Sequence, residues 1–386
     1  MKIPFHKPIM PNDIGLILKD SLKSGWLTTG PKVKIFEKNL EQYLEAKHVV
    51  ALNSCTAALH LSLAAKEYEP DTKVIVPTYT FVSTVEIIEY LGFQPVLIDC
   101  DENFNIDLNQ VIAKLKSEKN IRAIIPVHFG GHAVDMKILT KLAEEHNLFI
   151  IEDCAHALES KSNLGKVGNT NDVAAFSFYA NKNITSGGEG GAISTNDNHL
   201  ADKIRKLSLH GLSKDGWNRF KIGNKWEYDV SMLGYKYNMT DISASIGDWQ
   251  LSQIDNWHKI RMDIVKKYHS DLKGIKGLLL PKLNMDSQND SFHLFIVRLV
   301  PELWKINRNR LIEELNKFNI GTSVHYKPVH MHSYYKKKYN YESNNFPKAS
   351  EFFQNVISLP IYPALSITQQ EYIIYKLNIL WHKYKI

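Results

Sequence analysis

The chain has no uninterrupted apolar run of about 18 residues or more, so no helix long enough to cross a bilayer is expected. It has only three cysteines, Cys55, Cys100 and Cys154, none in a CxxC pair and each in or beside an apolar stretch. That argues against a disulfide scaffold and fits buried free thiols in a reducing compartment. The opening stretch "MKIPFHKPIMPNDIG" lacks an apolar core followed by a cleavage site, so no signal peptide and a cytoplasmic location are expected. There is no GxxxxGK[ST] and no GxGxxG, which leaves P-loop and Rossmann dinucleotide readings without support. The net charge of +6 is spread along the chain, with no lysine or arginine stripe. The densest basic cluster, "YYKKKYNY" at 334–341, reads as a solvated loop, and no nucleic-acid partner is expected. A mild positive field suits a small anionic substrate such as a nucleotide diphosphate. No pattern of metal ligands stands out: Asp153 and His156 lack a second cluster at suitable spacing.

What is present is an ordinary globular composition, 44% hydrophobic and 23% charged over 386 residues, enough for one large domain and a smaller one. From residue 33 to 195 strands and helices alternate. Strands are predicted at "HVVAL", "KVIVP", "QPVLIDCD", "IRAIIPVHFGG", "LFIIEDCAHA", "VAAFSF" and "GGAIST". Amphipathic or Ala/Leu-rich helices are predicted at 33–46, 57–68, 82–92, 107–118 and 135–147. The strands are continuous apolar runs, as in strands buried on both faces of a mainly parallel sheet covered by helices. After about residue 250 the pattern changes to long helices at 257–273, 307–320 and 367–384 and strands at "FHLFIVRLV" and "GTSVHY". The expected architecture is α/β: a large domain over 1–250 and a smaller α+β domain over 251–386, with the N-terminal segment packing on the latter.

Ligands in such sheets sit beyond the carboxyl ends of the strands, so the residues following each strand matter most. "NSCT" is a polar turn opening a helix, where Ser54 or Thr56 serves either as an N-cap or as part of a phosphate seat. In "FIIEDCAHA", Glu152 and Asp153 face opposite ways along a strand, so one of them can enter a cleft. A carboxylate there can keep a pyridine nitrogen protonated, as a pyridoxal phosphate site requires; a loop acid paired with a surface lysine is the alternative. Lys182, in "FSFYANKNITSGGEGGAIST", is a solvated loop lysine or, if partly desolvated, an amine able to attack a carbonyl. A phosphate turn, a carboxylate and a lysine after different strands together favour chemistry.

These residues carry a resemblance. "SGWLTTGPK", "LNSCTAALHLSL", "VIVPTYTFVSTVEIIEYLG", "IIPVHFGGHAVDM", "IIEDCAHA", "FSFYANKNITSGGEGG", "GYKYNMTDISASIG", "NIGTSVHYKPVHMHSYY" and "SLPIYPALS" resemble, in order from about Pro8 onward, the DegT/DnrJ/EryC1/StrS aminotransferases. The resemblance implies a fold-type I, pyridoxal 5′-phosphate-dependent enzyme that aminates a nucleotide-linked keto-sugar with an amino donor, L-glutamate, as a homodimer with shared active sites. It implies that Lys182 holds the cofactor as an imine and that Asp153 pairs with the pyridine nitrogen. By the same match His156 lies near the ring oxygen, Phe81 stacks on the ring, and Ser54, Cys55, Thr56 and Ser177 bind the phosphate. Thr28, Thr29, His325 and Tyr326 match positions bordering the sugar nucleotide.

Three departures stand out. Cys55 replaces a small residue of the phosphate turn, a change that a backbone N–H contact tolerates. "GYKYN" has Lys236 where the family often has the asparagine that reaches the neighbouring subunit's phosphate, leaving that role to Lys236 or Asn238. "TSGGEGG" is one residue longer than the usual "TTGEGG". Some members lack the lysine and dehydrate instead; this chain keeps it. Within the family, "NKNITSGGEGG" is similar to members acting at the sugar C4, such as those that make UDP-4-amino-4-deoxy-L-arabinose, with GDP-perosamine synthases and C3 aminases as alternatives. The implied products serve surface polysaccharides, lipids or glycoconjugates.

Overall fold

The computed structural model describes residues 1–212, 229–282 and 289–386. Its centre is a seven-stranded sheet built from β1 (His48–Leu52), β2 (Lys73–Pro77), β3 (Gln94–Ile98), β4 (Ile121–Ile124), β5 (Phe149–Asp153), β8 (Val173–Ser177) and β9 (Gly191–Thr195), with a small hairpin of β6 (Lys161–Ser162) and β7 (Gly165–Lys166) between β5 and β8. The spatial order is β1-β9-β8-β5-β4-β2-β3. β8, β5, β4, β2 and β3 pair in parallel, whereas β9 runs antiparallel to both its neighbours. Nearly every strand residue is buried, so both faces are covered and the continuous apolar runs have a physical cause.

The helices follow their apolar spacing. Met136–His146 buries Met136, Leu139, Leu142 and Ala143 on one face; the Asp135 carboxylate caps its start and Asn147, at φ 51°, ends it in the left-handed conformation. Leu139 is fully buried there, so Leu139→Ala would cost about 2–5 kcal/mol. Cys55–Ala64 is different: Ala57 through Leu63 are all buried, so this helix runs inside the molecule and has no polar face.

A second sheet, three-stranded and antiparallel, joins β10 (Leu278–Leu279), β11 (Phe295–Leu299) and β12 (Val356–Leu359). It packs with the helices Ile254–Leu272, Arg308–Lys317 and Ile367–Tyr384 around Tyr268, Leu311 and Leu377. Ile3 joins that cluster, and its backbone exchanges hydrogen bonds with Asn319 and Gly321. Val329, Tyr335, Phe346 and Phe352, by contrast, pack on the cluster of the large sheet.

Two expectations are corrected. "GTSVHY" is not a strand: it makes one isolated bridge, Ser323 to Ser358, because its side chains are directed into polar and aromatic contacts rather than a ladder. Residues 334–341 are not a loop: Ser333–Tyr339 is helical, Tyr335 is buried and Lys338 pairs with Glu89 at 2.8 Å. The helices Ile14–Ser24, Asn198–Leu207, Asp241–Ser252 and Pro347–Asn355, with the short β10 and β12, are among the described elements beyond those expected. No described helix is long and apolar enough to cross a membrane.

Candidate active site

Beyond the carboxyl ends of the parallel strands lies a cavity of about 380 Å³. Ser54, Cys55 and Thr56 enter it after β1, Phe81 after β2, Asp153 and His156 at and after β5, Ser177 and Lys182 at and after β8, and His325 and Tyr326 from the C-terminal part. Another cavity, of about 260 Å³ beside Phe104, Phe292 and Arg298, contains none of these groups.

Lys182 stands at a tight turn, its backbone N–H donating to Tyr179 O at 3.0 Å. Its amine has no hydrogen-bond partner among the described residues. Burial lowers its proton affinity to about 8, with Cys55 and Asp153 opposing that shift. Asp153 is buried, and each carboxylate oxygen is occupied: Oδ1 accepts from Ala155 N at 3.1 Å and Oδ2 from the Thr84 hydroxyl at 2.9 Å. Burial raises its pKa, against the Ala155 and Thr84 hydrogen bonds and the charges of Lys182 and His128. Strand alternation sends the preceding Glu152 to the opposite face, where it meets the buried His128 at 3.0 Å.

His156 uses both ring nitrogens within the protein: Gly130 N–H donates to Nδ1 at 3.2 Å, and Nε2 is 3.0 Å from the Tyr326 hydroxyl. Desolvation, then Lys182 and His325, hold its pKa well below the ordinary histidine value, so the ring is neutral. His325 is likewise lowered to about 3 by burial and Lys182, and its Nδ1 meets Ser358 Oγ at 2.8 Å. Phe81, 55% exposed, stands at the mouth with its ring 5.8 Å from that of Tyr326.

The Ser54 side chain accepts from Ala57 N at 3.1 Å, so it caps the helix while Cys55 and Thr56 form its first turn on the cavity wall. Gly191 of β9 presses against this turn: a Cβ there would sit 2.4 Å from the Ser54 carbonyl carbon. The longer glycine loop has a conformational reason. Gly187 and Gly188 have φ of 93° and 142°, and both amides donate to Thr185 Oγ1, at 3.2 and 3.3 Å. Cys55 is half-buried and lines the cavity, unlike the buried Cys100 and Cys154.

Four expected residues stand outside the cavity. Lys236 Nζ donates to Asn238 Oδ1 at 2.5 Å, and Asn238 Nδ2 to Thr29 Oγ1 at 2.7 Å. Thr28 lies beside them, its carbonyl accepting from Asp241 N at 3.2 Å. The group adjoins the phosphate turn through Asn53, whose N–H donates to Tyr237 O at 2.8 Å. Sequence reasoning missed Thr84, Asn181 and Asn183. Thr84 orients Asp153, and Asn181 lines the cavity with its Oδ1 buried and unpartnered. Asn183 links the buried Glu159–Arg261 pair to His293, donating to Glu159 at 2.8 Å and accepting from His293 at 2.9 Å. The one local signal for Asn181 and Asn183 was their place on either side of Lys182.

The DegT/DnrJ/EryC1/StrS aminotransferase family model matches residues 9–378. The spore coat polysaccharide biosynthesis protein SpsC of Bacillus subtilis is 40% identical over 365 residues, covering 94% of this chain and 93% of SpsC. Spr1654 from Streptococcus pneumoniae, assigned as a sugar aminotransferase and solved in its PLP form, superposes with a TM-score of 0.89 at 32% identity, covering 99% of each chain. Its PMP form matches equally well, with a TM-score of 0.89. PseC of Helicobacter pylori, an aminotransferase of pseudoaminic acid biosynthesis, gives 0.89 at 26% identity over 99% of this chain and 100% of PseC. With Lys182, the buried Asp153 and the Ser54–Thr56 turn assembled around one cavity of this fold, the chain belongs to the DegT/DnrJ/EryC1/StrS aminotransferase family and is a pyridoxal-phosphate-dependent sugar aminotransferase.

Proposed function

We propose that the protein moves an amino group from L-glutamate to the C4 keto carbon of a nucleotide-linked sugar, for a surface polysaccharide, lipid or glycoconjugate. The observation that carries the transfer chemistry is Lys182: a half-buried lysine whose amine has depressed proton affinity and no hydrogen-bond partner among the described residues, sharing a cavity with a buried carboxylate. The retained lysine favours transamination over dehydration. The C4 preference rests on "NKNITSGGEGG"; amination at C3 and GDP-perosamine synthesis are the alternatives. The similarity to SpsC, a spore coat polysaccharide biosynthesis protein, supports the destination.

The residues fit pyridoxal 5′-phosphate. The wall offers an amine, an acid and a capped helix start, and Gly191 lies against that start where a side chain would collide. Asn181 adds a buried oxygen without a partner. When bound, the cofactor supplies an electron sink for a substrate carbanion. In this reading the helix N–H groups with Ser54, Cys55, Thr56 and Ser177 hold its phosphate. Asp153 keeps a proton on the ring nitrogen, Phe81 covers one ring face, and Lys182 Nζ removes and returns the substrate proton.

The dimer belongs to the same proposal. Phe81, Tyr179, Leu16, Leu22 and Leu233 are exposed apolar side chains, and Leu233 is 90% exposed next to Lys236 and Asn238. A second copy covering this surface would bring its Lys236 or Asn238 to the phosphate. Thr28, Thr29, His325 and Tyr326 would border the sugar nucleotide. We assign residues 1–250 and 251–386 as the two domains, and the cytoplasm as the compartment. A panel of UDP-, GDP- and dTDP-linked keto-sugars with glutamate, the product position read by NMR, tests the reading. A product aminated at C3, or no product from any 4-keto acceptor, would overturn the C4 assignment.

A further inference from the structure

The hydrogen bonds of His156 fix the direction of a proton that no assignment above uses. A backbone N–H can only donate, so Gly130 N makes His156 Nδ1 an acceptor. The ring of His156 is neutral, so its single proton sits on Nε2. Nε2–H therefore donates to the Tyr326 oxygen 3.0 Å away. Among the described residues, His156 is the only hydrogen-bond partner of that oxygen, and it cannot accept in return. The Tyr326 hydrogen is left to turn into the cavity that Tyr326 shares with Lys182. The ring itself is fixed on several sides: Phe129 lies 5.9 Å away edge-on, Phe81 5.8 Å away and His156 stacked at 6.0 Å. Burial, then Asp153, raise the phenol's pKa, so it keeps its proton at neutral pH.

We propose that Tyr326 is a catalytic hydrogen-bond donor to the oxygen that carries negative charge during the reaction, with His156 as the positioning residue that aims it. That oxygen belongs either to the cofactor ring or to the ketone of the acceptor. A donor already in place at a charged oxygen lowers the barrier without reorganisation. The proposal rests on the cofactor chemistry of the family and not on which sugar is used.

The test uses Tyr326→Phe, which keeps the ring and its packing, on the full-length holoenzyme. Two probes are read: the pH titration of the bound cofactor's visible absorbance, and the single-turnover rate of the pyridoxamine form with 2-oxoglutarate, a ketone acceptor independent of the sugar. If the cofactor oxygen is the acceptor, the absorbance midpoint shifts by about one pH unit and the 2-oxoglutarate step slows with it. If the ketone oxygen is the acceptor, the midpoint holds and the 2-oxoglutarate step slows by about 10²-fold. His156→Leu should reproduce the Tyr326→Phe effect and add little to it in the double variant, whereas His156→Gln, which keeps an N–H donor, should restore part of it. An unchanged midpoint with unchanged rates, or fully additive effects of Tyr326→Phe and His156→Leu, would overturn the proposal. A wrong sugar assignment would instead leave these readouts intact and show only in the sugar panel.

Discussion

Two polar groups flank the phosphate turn, and they are built differently. Inside the cavity, Asp153 and Lys182 sit on or just after parallel strands; Ala155 and the distant Thr84 hold the Asp153 carboxylate, and Tyr179 holds the Lys182 backbone. Outside it, Lys236, Asn238 and Thr29 hydrogen-bond to one another, and Leu233, shortly before Lys236 in the chain, is almost wholly exposed. The inner group brings an amine and a carboxylate into one cavity within a single chain. The outer group has charge and hydrogen-bonding capacity but does not line the cavity that holds Lys182. The contrast is that strand ends of a doubly covered sheet gather the inner side chains in one cavity, whereas a role for the outer group in the proposed reading requires a second copy.

The sharpest way to break this contrast is at Lys182. Lys182→Ala should cost at least about 10³-fold in turnover and remove the visible absorbance of covalently held cofactor. Near-wild-type transamination in that variant would mean the inner group is not the reaction centre. Asp153→Asn comes next, with an expected loss of about 10²–10³-fold, since it removes the charge that keeps the ring nitrogen protonated while preserving the Thr84 contact. Steady-state rates with the pyridoxal form saturated would check it, and a change confined to cofactor affinity would count against the assigned role.

A smaller effect is expected at the wall between the two groups. Gly191→Ala places a methyl against the Ser54 backbone at 2.4 Å, where no flexible side chain can give way. Denaturant melts should show a loss of about 1–3 kcal/mol, with weaker pyridoxal phosphate binding. The pH dependence is gentler still. Because the free Lys182 amine loses its proton near pH 8, capture of pyridoxal phosphate by the apoprotein should speed up about tenfold per unit as pH rises toward 8, then level off. Stopped-flow absorbance reads this directly, and a rate still climbing at the same slope well above pH 8 would contradict the depressed value.

Much of the inner group was legible in the sequence because strand periodicity and strand ends are local signals. β1 and the terminal helix Ile367–Tyr384 coincide with their apolar runs, and "IIEDCAHA" announced Asp153 at a strand end. What was not legible depends on distant contacts. Thr84 is 69 residues from the aspartate it orients, and Tyr326 is 170 residues from the histidine that donates to it. The reversed direction of β9 leaves no mark in "GAIST", because a strand buried on both faces reads the same either way. "GTSVHY" misled because its backbone makes only one bridge to β12, at Ser323, while the His325 carbonyl accepts from the Tyr79 hydroxyl at 2.9 Å.

The smallest effect bears on the outer group and decides whether its role is supplied across a dimer. Asn238→Ala with Lys236→Ala in one chain should weaken the cofactor phosphate site of the neighbouring subunit rather than its own. Mixed with Lys182→Ala chains, the double variant then forms hybrids in which one site has a wild-type lysine from one chain and a wild-type Asn238 from the other. The second site of each hybrid lacks both. With random pairing, half the dimers are hybrids and half of their sites are restored, so about a quarter of wild-type activity should return from two impaired parents. If the outer group instead served its own chain, every Lys182-bearing site in the mixture would still be defective, and mixing would add nothing beyond the parents' average.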